Sequence, residues 1–68
     1  MPKKKEWVEN TKPRIIVAIS SGILNGYEEG FLMDILKRLE EYGVNVRLSD
    51  KQEFRLFQYL SKAEGNDL

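Results

Sequence analysis

Residues 13–24, "PRIIVAISSGIL", decide the fold. Ile15 to Ile19 form an unbroken apolar run, mostly β-branched, which suits a buried strand. The same letters also suit a helix. Ile15, Ile16, Ile19 and Ile23 then fall on one side, and Pro13 takes the first turn, where its missing N–H costs nothing. Thr11 or Lys12 would precede that turn, and Gly22 would weaken its far end. Periodicity alone fits both readings, so the choice falls to the segments around this one.

The segment that follows is easier to read. In "NGYEEGFLMDILKRLEEYG", residues 25–43, Asn25 can cap a helix and Glu28 can reach back in a capping box. Phe31, Leu32, Ile35, Leu36, Leu39 and Tyr42 recur at helical spacing as one apolar face, and Gly43 offers a left-handed stop. Asp34 precedes Arg38 by one turn, the favoured order for a helix ion pair. Gly30 interrupts this helix at a cost of about 1 kcal/mol and is expected to mark the close approach of a neighbour. "VNVRLS" alternates, with Val44, Val46 and Leu48 on one side: a short strand, or a connection whose apolar residues plug the core. From Ser49 a second capping box, with Gln52, opens another helix whose core face is Leu56, Leu60 and Ala63, with Phe57 beside them.

Two architectures follow. The first is all-α, a small three-helix domain with helices at about 13–24, 27–42 and 50–64. The second is α/β, a β-α-β-α chain pairing "IIVAI" with "VNVRL" in a two-stranded parallel sheet extended by dimerisation. Parallel pairs normally sit inside larger sheets covered on both faces, so the all-α reading is preferred. Residues 1–12 are expected as a mobile basic arm, 13–65 as the domain and 66–68 as a tail. Trp7 is expected to clamp the arm to the bundle.

The chain has 68 residues, no cysteine and no histidine, so neither a disulfide nor the usual metal and acid–base ligands are available. Its formal charge is zero, which argues against a strongly basic nucleic-acid binder. The charge is uneven, however. Residues 1–14 are basic, 15–26 carry no charge, and 27–41 are acidic. No apolar run approaches the roughly 18 residues of a membrane span, and no export signal is read, so a cytoplasmic protein is expected. The adjacent pairs Glu28–Glu29 and Glu40–Glu41 do not face each other on a helix. No catalytic residue, metal site or cofactor is expected, and the protein is read as a non-enzyme.

The last helix carries the most information about function. Lys51, Arg55, Gln58 and Lys62 are spaced four, three and four residues apart, which places them along one narrow line of the helix. Phe54 flanks the line on one side and Tyr59 on the other, and Arg47 can extend it. Cations beside aromatics suit phosphate contact with base stacking. The same line also suits the plain solvent face opposite Leu56 and Leu60. Lys3, Lys4 and Lys5 are a second candidate contact for a polyanion.

The stretch "YEEGFLMDILKRLEEYGVNVRLSDKQEFRLFQYLSK", residues 27–62, resembles a motif of small bacteriophage DNA-replication and recombination accessory proteins. The matching positions are Tyr27 and Glu28, then Phe31, Leu32, Ile35 and Leu36, then Tyr42 and Gly43, then Leu48, Ser49, Lys51 and Gln52. The resemblance covers about half the chain and implies a helical hairpin associated with DNA-processing machinery; it does not imply catalysis. The expectation is a non-enzymatic accessory that meets nucleic acid, or an enzyme acting on it, through Arg47, Lys51, Arg55, Gln58, Tyr59 and Lys62 and the Lys3–Lys5 arm. The alternative is a protein-interaction module or inhibitor that uses the apolar stretch 15–24, with a homodimer among its forms.

Overall fold

The stretch 13–24 folds mainly as helix, and the residues before it show why. A computed structural model describes residues 4–65, which form α1 (Lys5–Ser20), α2 (Gly26–Tyr42), a 3-10 turn at Gly43–Asn45, and α3 (Asp50–Ala63). No strand occurs among the described residues, and the parallel-sheet alternative is absent from them. Lys3 and the expected tail 66–68 lie outside the described residues.

α1 begins at Lys5, not at Pro13, so residues 5–12, expected as part of a mobile arm, are its first turns. Val8, Thr11, Ile15 and Ala18 are buried at intervals of three, four and three residues, one stripe that runs straight past the proline. Pro13 inside a helix removes one backbone hydrogen bond and costs about 3 kcal/mol. Here Pro13 lies on the exposed side, as does Glu9, whose carbonyl loses that bond, so water can take the carbonyl. The burial of Val8 and Thr11, together with the Trp7 ring set edge-on to Phe57 at 6.5 Å, offsets the loss. The upstream stripe also sets the rotation of the helix. Ile15 and Ile19 turn inward, while Ile16 and Ile23, expected on the same side, are 51% and 52% exposed. α1 stops at Ser20, and Leu24 plugs the core from the turn that follows.

α2 opens with the expected capping box. The Glu28 N–H donates to Asn25 Oδ1 at 2.8 Å, and the Asn25 N–H donates to Glu28 Oε1 at 3.0 Å. Leu32, Ile35 and Leu39 are fully buried, and Phe31 and Leu36 border them. Tyr42, at the end of the expected face, is more than half exposed. Gly43 ends the helix at φ 57°, the left-handed region where glycine is favoured. Gly30 departs from expectation, because a side chain built there would meet nothing within 4 Å. The connection 44–49 is the plug reading made real, with Val46 buried and Val44 and Leu48 packed beside it.

α3 is started by Ser49, which accepts the Gln52 N–H at 3.1 Å while Gln52 Oε1 accepts the Ser49 N–H at 2.8 Å. Leu56 and Leu60 are fully buried. Side-chain pairs fix the directions of the helices. Trp7 meets Phe57 and Arg14 meets Glu64, so α1 and α3 run the same way. Glu28 meets Lys62 and Phe31 meets Tyr59, so α2 runs against α3. The result is an up-down-up three-helix bundle. None of its helices is long and apolar enough to cross a membrane.

Candidate nucleic-acid interface

With Leu56 and Leu60 turned fully inward, the periodicity of α3 sends Lys51, Phe54, Arg55 and Gln58 outward, and all four are exposed. Phe54 is 68% exposed. Its ring, Asp50, Lys51 and Arg55 line one open depression on the first turns of the helix. At ~100° per residue, Phe54 stands between Asp50 on one flank and Lys51 on the other.

Arg55 leans from this depression towards α2. Its Nη1 lies 3.5 Å from Tyr27 Oη, the outer limit of a hydrogen bond. Tyr27 is 69% exposed. A guanidinium therefore sits between two solvent-facing aromatic rings. Sequence reasoning placed Tyr27 only in the helix motif. Its one local signal was its position in the first turn of α2, off the apolar face.

Lys62, the far end of the expected line, is committed elsewhere. Its Nζ donates to both carboxylate oxygens of Glu28, at 3.1 and 3.2 Å. Glu28 is nearly buried, and its carboxyl is held below the ordinary value of 4.5, first by the Asn25 N–H and then by Lys62. This ion pair ties the end of α3 to the start of α2 and takes one cation out of the line. Tyr59, expected to flank the line, is half-buried and stands edge-on to Phe31 with ring centroids 5.4 Å apart.

Arg47 precedes α3 and is exposed. It lines a separate open notch of about 310 Å³ with Arg38, Tyr42, Asn45 and Val46. Arg38 in that notch is already paired with Asp34 at 3.2 Å, as its one-turn spacing predicts. Lys4 and Lys5 sit at the start of α1, and Lys5 lies 4.0 Å from Glu9. Arg14 makes a two-pronged contact with Glu64 at 2.8 and 2.9 Å, which closes this same C-terminal end of α3 against α1.

The expected contact set thus separates into parts. Lys51, Arg55 and Gln58 stay together on the outer face of α3 and gain Phe54 and Tyr27. Lys62 is drawn into an ion pair and Tyr59 into packing, and Arg47, Lys4 and Lys5 lie apart. Among the described residues no group of three or more acidic side chains is arranged to hold a metal ion. No protein-family model matches the chain, and no curated protein or solved structure matches it significantly.

Proposed function

We propose that this protein is a non-enzymatic accessory in DNA transactions that contacts nucleic acid directly through the outer face of α3. The observation that carries the reading is the exposed Phe54 ring beside Lys51 and Arg55, with Tyr27 beyond Arg55. Cations supply phosphate attraction, and exposed rings supply surfaces for bases. The resemblance of residues 27–62 to phage replication and recombination accessory proteins supports the same reading. With formal charge zero over the chain, attraction is confined to this local face and is modest and salt-sensitive.

The test is titration of labelled DNA at low salt with wild type and a Lys51→Glu/Arg55→Glu variant. Lys62 is left unaltered because it holds the start of α2. Wild type should bind, and the variant should bind at least tenfold more weakly with an unchanged circular-dichroism spectrum. No wild-type binding at about 100 μM, the weak end of non-specific DNA affinity, removes the reading.

A second reading has its own observation. On the outer side of α1 and the turn after it, Ile16, Val17 and Ile23 are all more than half exposed, in a stretch that carries no charge. That face suits a protein partner or a second copy of the chain. Sedimentation across a concentration series separates the two readings, since self-association weakened by Val17→Lys favours the second.

A further inference from the structure

We infer that the nucleic acid taken by the outer face of α3 is single-stranded, with an unpaired base stacked on Phe54 and its neighbour received by Tyr27. This inference rests on the nucleic-acid reading above and specifies its ligand.

Single exposed apolar side chains are ordinary and need no explanation. Phe54 differs in its surroundings. Ile16 and Val17 lie next to each other in a stretch of sequence without charge, whereas Phe54 is bordered by Asp50, Lys51 and Arg55 and stands one turn from Gln58. A phenyl ring adds nothing to phosphate attraction, so cations alone leave it without a role. Base pairs within a duplex hide their faces by stacking on one another, and the ring has no access to them. An unpaired base has a free face that any aromatic ring can cover regardless of sequence.

The dimensions agree. Lys51 to Gln58 spans two turns, about 10 Å of helix, enough for a run of about two or three nucleotides. Along that run Lys51 and Arg55 lie on the same side of Phe54, where they can follow the phosphates while the ring meets a base. Asp50 lies on the opposite flank and repels phosphate, which fixes the side on which the backbone passes. Arg55, reaching Tyr27 at 3.5 Å, continues the track towards the second ring. Lys62 is held by Glu28, so the track ends near Gln58.

The experiment is fluorescence anisotropy at low salt with labelled oligo-dT and with a duplex of the same length. Wild type and Phe54→Ala are compared, and circular dichroism confirms the fold of a variant altered only at an exposed position. Wild type should prefer the single strand about tenfold, Phe54→Ala should lose about tenfold on the single strand, and duplex affinity should stay unchanged. Equal binding of single strand and duplex, with Phe54→Ala matching wild type and Lys51→Glu/Arg55→Glu weakening both, overturns the stacking inference and leaves the nucleic-acid contact standing. Absence of binding to either ligand by wild type overturns both.

Discussion

Glu28 serves two helices with one side chain. One carboxylate closes the capping box of α2 and receives Lys62 from α3. Its carboxyl is held low by the Asn25 N–H and Lys62, and that of Glu64 is held low by Arg14. A carboxyl that is more acidic in the folded chain than in the unfolded one stabilises the fold when ionised. That stabilisation is complete above the ordinary value of 4.5 and is lost as the pH falls below it through the lowered folded values. Thermal melts should therefore hold steady near neutrality and fall as the pH drops below about 4.5, with Glu28→Gln showing a shallower fall. Gly30 offers the opposite kind of test. It sits in an exposed helix interior with open space around it, so Gly30→Ala should stabilise by about 1 kcal/mol in urea denaturation. A loss of stability would mean that another surface meets the helix there.

At the scale of elements, α2 and α3 were legible because their signals are local. Asn25 with Glu28 and Ser49 with Gln52 announce helix starts by spacing alone, and Leu32, Ile35, Leu39, Leu56 and Leu60 announce the inward faces. α1 was legible only in kind. Its start was hidden because proline normally opens a helix, and because Lys4 at the true start has no side-chain cap. Only the packing of Val8, Thr11 and Trp7 onto the other helices extends α1 through Pro13. It follows that Pro13→Ala, which restores a backbone donor on the exposed side, should stabilise the domain by about 2–3 kcal/mol. Deletion of residues 1–12 should destabilise it severely, and a truncated chain as stable as the full one would contradict the buried roles of Val8 and Thr11. The candidate face was legible in part for the same physical reason. Helical periodicity places Lys51, Arg55 and Gln58 together, but the diversion of Lys62 to Glu28 and the approach of Tyr27 to Arg55 join residues far apart in sequence. No local pattern encodes such pairs.

At the scale of the whole molecule, a domain of this length has a total stability of about 3–10 kcal/mol. Each buried leucine is then a large fraction of it, since Leu→Ala in a core costs about 2–5 kcal/mol. The bundle spends its apolar residues unevenly. Leu32, Ile35, Leu39, Leu56 and Leu60 are fully buried, yet Phe54, Tyr27, Ile16 and Val17 remain in solvent. These exposed residues fall on two separate faces, one edged by Lys51 and Arg55 and one built from the charge-free stretch 15–26. That separation gives the two functional readings different footprints. Amide chemical shifts recorded while oligo-dT is added at low salt distinguish them directly. The account predicts that shifts concentrate at Lys51, Phe54, Arg55, Gln58 and Tyr27, and that Ile16, Val17 and Ile23 stay still. Spectra that do not move at those α3 positions, or that move only along the outer side of α1, contradict it.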